Sequence, residues 1–309
     1  MRSMSLVEAA LVTIVAASTP LLLAAIGELV VERSGVLNLG VEGMMVMGAV
    51  AGFAAAYTVG SATLGIVAAV VTGIAMSLLF AFLTQILAAN QVATGLALTL
   101  FGLGLSGLVG EPFTGLPGVK LERIEIPLLS DLPIVGSAFF AQDVLVYASF
   151  ILTIATAFVL SRTKTGLVIR AVGINHHSAH ALGYKVIAVR CACIAFGGAC
   201  AGLAGAHLSL AYTTQWIESM TAGRGWIALA LVVFATWVPG RVLVGAYLFG
   251  AVWIMGLYAQ GLGAGIPPQL LSSLPYLATI VALVLISGDR ILAKANTPAC
   301  LGQAFVPDR

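Results

Sequence analysis

The sequence has 309 residues, of which 60% are hydrophobic and only 8% are charged, with a mean hydropathy of +1.08. Soluble domains carry about a quarter charged residues, so this composition excludes a water-soluble fold. A membrane β-barrel would show alternating polar and apolar residues, whereas the apolar runs here are continuous. At roughly 20 residues per crossing, the chain can form about eight to ten spans. The predicted fold class is an all-α, polytopic transmembrane helical bundle.

Nine apolar runs account for most of the sequence, and each is long enough, or nearly so, to cross a bilayer. They lie at residues 6–26, 36–59, 64–87, 92–109, 144–160, 186–210, 226–238, 242–259 and 271–286. About nine spans are therefore predicted, although re-entrant or broken segments would change that number. Glycines one helical turn apart, such as Gly198 and Gly202, predict close helix packing in the membrane.

Lysine and arginine in short loops predict the orientation of the chain. The segment 162–190 is basic and contains no acidic residue, and Arg241, Arg290 and Lys294 follow later runs, so these segments are predicted to face the cytosol. In 111–143 acidic residues outnumber basic ones, which favours an extracytoplasmic loop. Counting crossings from these anchors places the amino terminus outside and the carboxyl terminus in the cytosol.

The chain is thus predicted to form a single transmembrane domain, residues 1–290, followed by a cytosolic tail, residues 291–309. The formal net charge of +2 gives no indication of a nucleic-acid partner. No Gly-x-x-x-x-Gly-Lys-Ser/Thr sequence occurs, so the chain cannot bind nucleotide through a phosphate loop of that kind. If ATP drives this protein, another subunit must therefore supply the ATPase.

The basic segment 162–190 contains the signals of a short helix. Asn175 can cap its start, residues 176–182 form about two turns, and Gly183 suits the left-handed position after its end. The flanking pairs at 165–166 and 183–184 would let this helix lie across the membrane surface. Two interpretations remain open for it: docking into a groove on a partner protein, or anchoring on lipid headgroups.

Four segments resemble, in the same order, the permease subunits of bacterial ABC importers for nucleosides and simple sugars, a group related to the ribose and branched-chain amino acid permeases. They are 35–45 (GVLNLGVEGMM), 89–98 (ANQVATGLAL), 170–175 (RAVGIN) and 221–230 (TAGRGWIALA). The resemblance covers nearly the whole chain and is specific for the family, less so for the substrate. The first two segments look more like the nucleoside branch.

This resemblance implies a multi-pass protein of the bacterial inner membrane that works with partners. These are a second permease subunit, cytosolic ABC ATPases and an extracytoplasmic binding protein or lipoprotein. It implies a transport subunit and not an enzyme, with no cofactor in this chain and with ATP and Mg on the ATPases. It also implies that the helix at 175–183 is the coupling helix gripped by the ATPase. The residues assigned to ATPase coupling are Arg170, Ala171, Gly173, Asn175, Ala179 and Gly183.

Polar residues near the first two spans are candidates for the translocation pathway, because polar groups are costly in the membrane and usually functional. Asn38 and Glu42 lie one turn apart and are assigned to a path or gate, with interhelical hydrogen bonding as the alternative. Glu28 and Glu32 are one turn apart near the inner end of the first span, where solvation or pairing with Arg33 is the alternative.

The fourth span opens with Asn90, Gln91 and Thr94, whose polar side chains are further candidates for substrate contact. Uncharged amides can read sugar hydroxyls or base edges through directional hydrogen bonds. Capping of the helix by Asn90 is an equally reasonable interpretation.

At the predicted outer boundary, Arg224 and Trp226 are candidates for docking the binding protein. With Trp216 they would otherwise form an aromatic belt at the membrane interface. His176 and His180 share a helix face but have no carboxylate or cysteine beside them, so they are predicted to be solvated surface of the coupling helix and not a metal site.

The main rival function is a proton-coupled secondary carrier for a small polar solute, with Glu28 or Glu42 as the proton relay. A passive channel is a third possibility, but no recognisable selectivity filter occurs.

Overall fold

The computed structural model describes residues 6–127, 130, 135–261 and 296–306, together with positions 267, 270, 273, 274, 277 and 280. Helices make up most of this part of the chain. They are α1 Leu6–Arg33, α2 Val41–Val59, α3 Ala62–Ala81, α4 Gln91–Gly110, α5 Val135–Phe139, α6 Val144–Arg162, α7 Lys164–Ile174, α8 His176–Ala181, α9 Val186–Ala206, α10 Arg224–Phe234 and α11 Pro239–Gly261.

Three of these helices continue in another helical form. Wider π-helical turns at Phe82–Ile86 and His207–Tyr212 extend α3 and α9, and a tighter 3-10 turn at Glu111–Phe113 extends α4. The loop between α4 and α6 contains α5 and a small antiparallel hairpin of β1, Arg123–Glu125, and β2, Ala141–Asp143.

Seven helices are long and apolar enough to cross a membrane. They are Val7–Arg33, Val41–Val59, Ala62–Ile86, Gln91–Phe113, Val144–Arg162, Val186–Tyr212 and Pro239–Gly261. These correspond to the first six predicted runs and the eighth, so the multi-pass helical class is confirmed. The total of nine, the orientation of the termini and the domain limits stay predictions.

The predicted seventh span differs from the observed α10. This helix has only 11 residues, which makes it about 16 Å long, whereas the hydrocarbon core is about 30 Å thick. It ends where Thr236 and Trp237 turn the chain with positive φ angles of 50° and 53°. It is therefore too short to cross the membrane alone. The predicted ninth span, 271–286, lies outside the described residues except for positions 273, 274, 277 and 280.

The helices α1 and α2 lie at the centre of the bundle. Within their most apolar windows 67% and 72% of residues are buried, against 28–33% for the spans that contain α3, α4 and α6. The outer helices expose large apolar side chains, such as Leu100 on α4 and Ile154 on α6. Because the described chain leaves these faces uncovered, they are suited to contact lipid or another subunit.

Close glycine contacts hold the inner helices together, as the sequence predicted for Gly198 and Gly202. A Cβ atom on Gly48 of α2 would lie 2.7 Å from the Cα of Gly202 on α9. A Cβ on Gly202 would overlap the carbonyl of Ala69 on α3. In the glycine-rich α4, by contrast, Gly104 faces open space. Small residues thus permit backbone approach at particular points along the helices.

Gly202→Ala is expected to destabilise the protein by about 1–3 kcal/mol, the usual cost of overpacking. Gly104→Ala is the matched control, and it should be neutral or slightly stabilising because alanine is the better helix former. Thermal unfolding in detergent micelles measures both. Equal melting temperatures for the two variants would contradict the proposed contact among α2, α3 and α9.

Candidate coupling and translocation site

The seven residues 34–40, called the elbow below, connect α1 to α2 inside the bundle. Gly35 takes a positive φ of 87°, which suits glycine. The side chain of Asn38 is fully buried. Its Oδ1 accepts from the Gly40 N–H at 3.0 Å, and the backbone N–H of Asn38 donates to Glu28 Oε1 at 3.2 Å. The Asn38 side chain therefore satisfies a backbone N–H where the helix is broken, and its role in a path or gate stays a prediction.

Glu42, the second residue of α2, binds the start of α10. Its Oε1 accepts from Thr221 Oγ1 at 2.6 Å and from the Gly223 N–H at 2.8 Å, and its Oε2 accepts from the Gly225 N–H at 2.6 Å. These N–H groups lie at a helix start, where they lack intrahelical acceptors and a negative charge is favourable. Both carboxylate oxygens are thus engaged in positioning α10. The proton-relay and pathway roles considered for Glu42 find no support in these contacts.

The amide side chains at the start of α4 have different surroundings. Asn90 is exposed, and its Oδ1 caps the helix by accepting from the Ala93 N–H at 3.0 Å. Gln91 is buried; its Oε1 accepts from the Leu37 N–H at 2.8 Å, and its Nε2 donates to the Gln303 carbonyl at 3.4 Å. Thr94 is half-buried. Of the three, Gln91 alone bridges the elbow and the end of the chain.

Two carboxylates are buried near the end of α1, which is longer than the first predicted run. Glu28 and Glu32 are each 1% exposed. Glu32 Oε2 accepts from Trp237 Nε1 at 2.5 Å. Arg33 does not pair with either acid, because it donates to the carbonyls of Trp237 and Asn296. The solvated and Arg33-paired interpretations of these acids are therefore wrong.

The basic segment 162–190 contains two helices. The predicted short helix is present as α8, with Asn175 Oδ1 accepting from the Ser178 N–H at 3.0 Å and with Gly183 at φ 88°. The preceding residues differ from the prediction, because 165–166 lie inside α7 and do not form a flexible flank. Thr163 caps α7, and a Cβ on Gly166 would overlap Val159, so α7 packs closely on α6.

The residues assigned to coupling are divided between the interior and the surface. Gly173 is buried against the Arg33 carbonyl, and Ala179 packs in an apolar cluster. Arg170 and Ala171 are half-buried, whereas Asn175 and Gly183 mark the two exposed ends of α8. The surface open to a partner is instead formed by His177, Ser178, His180, Ala181 and Leu182.

Arg190 on α9 is fully buried, although the sequence analysis included it in the cytosol-facing segment. Its guanidinium donates to the carbonyls of Ser34 at 3.2 Å and Gln303 at 3.0 Å. Its Nη2 lies 3.1 Å from His176 Nδ1. Because a guanidinium can only donate, this imidazole nitrogen must accept, which makes His176 neutral.

His176 is also buried and does not form solvated surface, in contrast to the prediction. Burial, the charge of Arg190 and the neighbouring His177 lower the pKa of His176 from 6.5 to about 4. In the described part of the chain no group of three potential ligands could hold a metal ion. The role of this histidine is to accept a hydrogen bond from Arg190 and to pack.

Arg224 at the start of α10 lies inside the bundle. Its guanidinium lies 5.8 Å from the ring centre of Tyr212 and 5.4 Å from that of Trp253, within the range of cation–π contacts. A cavity of about 20 Å³ beside it is also lined by Ala17 and Leu21, which lie in the middle third of α1. Arg224 is therefore near the middle depth of the bundle.

The two tryptophans that the sequence analysis grouped with Arg224 are buried to different extents. Trp226 is half-buried, and Trp216 is 1% exposed and packs against Gly110. The interfacial-belt interpretation is therefore wrong for Trp216. Receptor docking by Arg224 and Trp226 stays a prediction.

Long apolar helices packed around a buried polar elbow define a multi-pass membrane protein. Residues 10–286 match the family described as the permease component of the branched-chain amino acid transport system, and the chain belongs to this family. It is an ABC transporter permease, and the proton-coupled carrier is not favoured. No solved structure matches the chain significantly.

Three relatives match over nearly their full length. The chain is 43% identical to "Putative glucose ABC transporter permease protein TsgC13" of Haloferax volcanii, over 87% of this chain and 88% of the relative. It is 33% identical to the nucleoside ABC transporter permease NupC of Lactococcus lactis and 31% identical to the guanosine ABC transporter permease NupQ of Bacillus subtilis. Both matches cover 90% of this chain and 92% of the relative.

Glu42→Ala is expected to lower the free energy of unfolding by about 3 kcal/mol, because it leaves buried donors at the start of α10 without their acceptor. Glu111→Ala removes an exposed carboxylate and serves as the control. Thermal unfolding in detergent reports the difference, and a Glu42 variant as stable as the control would refute the anchoring role.

A second prediction concerns pH. The pKa of His176 is lower in the folded chain than its ordinary 6.5, so between pH 6.5 and about 4 the unfolded chain binds more protons. The stability due to neutral His176 is therefore complete above pH 6.5 and is lost as the pH falls through this window. His176→Gln should flatten the decline of the melting temperature below about pH 6.5, whereas His180→Gln should keep it. An unchanged slope in the His176 variant would contradict the assignment.

Proposed function

We propose that this chain imports nucleosides or related simple sugars as the permease subunit of an ATP-driven transporter. The observation that carries the proposal is the near full-length match to permeases named for nucleosides, guanosine and glucose.

In the proposed complex, α8 is the coupling helix and faces the cytosolic ATPases. Three features support this role: the helix is short, its ends are fixed by Asn175 and Gly183, and its outer surface is exposed. Leu182 is 78% exposed, and an exposed leucine in a basic segment suits insertion into a groove on a partner. The buried members of the sequence assignment, Gly173 and Ala179, would then hold α8 in place.

We further infer that the solute passes close to Arg224. Its guanidinium donates to the Met220 carbonyl and lies 5.8 Å and 5.4 Å from the ring centres of Tyr212 and Trp253, so a cation and two flat apolar surfaces meet beside the middle of α1. Such surfaces can stack on a base or a sugar ring. Among the earlier candidates, Asn38 and Gln91 hydrogen-bond to the backbone of the elbow and Asn90 caps α4, which leaves Thr94 of α4 as a candidate for solute contact.

The proposed assembly contains a second permease subunit, two ATPase subunits that bind ATP and Mg, and an extracytoplasmic binding protein or lipoprotein. The exposed apolar faces of the outer helices are available for the second permease and for lipid. In this arrangement the complex lies in the cell membrane. The amino terminus and the loop 111–143 lie outside the cell, whereas the segment 162–190 and the tail 291–309 lie on the cytosolic side.

Transport by the reconstituted complex tests the proposed function. Liposomes containing the permease and its cognate ATPase, supplied with the neighbouring binding protein, should accumulate labelled nucleoside only when ATP is available on the ATPase side. Competition with unlabelled nucleosides, ribose and glucose would identify the solute class. Uptake by the chain alone that collapses with the proton gradient would overturn the proposal in favour of the secondary carrier.

Leu182→Asp is expected to weaken co-purification with the ATPase by about tenfold or more, as is usual for a buried anchor at an interface. The control is Ile124→Asp in β1, which also replaces an exposed apolar residue but lies on the predicted opposite side of the membrane. Melting temperatures of the free subunit should be similar for both variants. If Leu182→Asp binds the ATPase like the unmodified chain, α8 is not the docking helix.

A further inference from the structure

The carboxyl-terminal segment 296–306 consists mainly of turns and irregular chain and is called the tail strand below, although it is not part of a β-sheet. Hydrogen bonds fix it to the bundle. The Cys300 N–H donates to the Gly173 carbonyl at 2.9 Å, and the Gly302 N–H donates to the Gly35 carbonyl at 3.2 Å. The Gln303 carbonyl accepts from both Arg190 and Gln91. The tail strand thus contacts α7, the elbow, α9 and α4.

Phe305 of the tail strand packs under the proposed coupling helix. It is 5% exposed and belongs to an apolar cluster with Val172, Ala179 and Val186. Its ring centre also lies 5.1 Å from that of His176, 5.7 Å from that of His177 and 5.4 Å from that of His180. The spacing of these histidines therefore corresponds to aromatic packing around a single phenylalanine.

Arg190 connects the elbow, the tail strand and α8. One guanidinium contacts the elbow at Ser34, the tail strand at Gln303 and α8 at His176. Movement of α8 would stretch or release these contacts. Arg190 and Phe305 both contact His176 of α8, and Arg190 also contacts the elbow, so these buried side chains would transmit such a movement to the elbow.

We propose that the tail strand is a working part of the coupling element and that Phe305 is its positioning residue, which links displacement of α8 to the elbow. The inference rests on the proposed docking of α8 to an ATPase. In this proposal residues 296–306 have a mechanical role in transport. The tail strand fixes the position of α8 relative to the elbow, so a displacement of α8 also displaces the elbow between α1 and α2.

The first test uses the complete complex and compares Phe305→Ala with Val306→Ala, an adjacent apolar residue that is 62% exposed. Phe305→Ala should keep the ATPase bound but reduce solute uptake per ATP hydrolysed by about tenfold, within the range found for changes along a coupled network. Phe305→Leu should restore part of the lost coupling, since it refills the apolar site. Val306→Ala should behave as the unmodified chain.

The second test reports directly on the position of the tail strand, without the ATPase. The Cys300 thiol is 8% exposed and should label slowly with a maleimide, as followed by peptide mass spectrometry. Phe305→Ala should accelerate this labelling and the hydrogen exchange of residues 175–183, whereas Val306→Ala should change neither. A global loss of folding would instead accelerate exchange throughout α1 and α2 as well.

The outcomes separate the two proposals. If the unmodified permease binds no ATPase, the proposed function fails, while the labelling test still shows whether Phe305 positions α8. If Phe305→Ala loosens residues 175–183 but leaves uptake per ATP unchanged, or if it changes neither labelling nor exchange, the coupling role of the tail strand is overturned.

Discussion

The buried guanidinium of Arg190 is the constraint on which the end of the bundle around the elbow and α8 depends. A buried cation is costly unless its donors are satisfied. Here the acceptors are the carbonyls of Ser34 and Gln303 and the imidazole of His176. These groups belong to the elbow, the tail strand and α8, so the three segments must adopt their positions together. The same contact requires His176 to stay neutral.

Side chains satisfy backbone groups at two helix breaks in the described part of the bundle. In a membrane, unpaired backbone groups carry a high cost because no water replaces the missing partner. Asn38 and Gln91 supply partners at the elbow, and Glu42 supplies them at the start of α10. Broken helices are thereby stable at positions where the hydrogen-bond ladder of a continuous helix is absent. This accounts for Asn38 and Glu42 in the motif at 35–45 and for Thr221 in the motif at 221–230.

Local signals in the sequence were sufficient for much of the fold. Apolar run length predicted the seven long helices, and the chemistry of Asn175 and Gly183 predicted both ends of α8. These features depend on residues a few positions apart. The short α10 was missed because its apolar run continues to Val238, whereas the chain turns earlier, at Thr236 and Trp237.

The site was less predictable, because its contacts join residues that are far apart in the sequence. Glu42 and Thr221 are separated by 179 positions, and Arg190 and Gln303 by 113. Hydropathy indicates that such polar groups face protein, but it gives no information about which partner they meet. Arg190 looked like an ordinary basic residue at the end of a span, because the segment that covers it, with Gln303, lies 113 positions further along the chain.

A continuous set of polar contacts joins the proposed coupling helix to the start of α10. His176 meets Arg190, which holds the elbow, and the elbow leads directly into α2, where Glu42 binds Gly223 and Gly225 on either side of Arg224. A displacement of α8 therefore has a covalent and hydrogen-bonded route to the middle of the membrane. The proposed coupling helix and the residues around Arg224 are thus both fixed to the short stretch 34–42, through Arg190 at one end and Glu42 at the other.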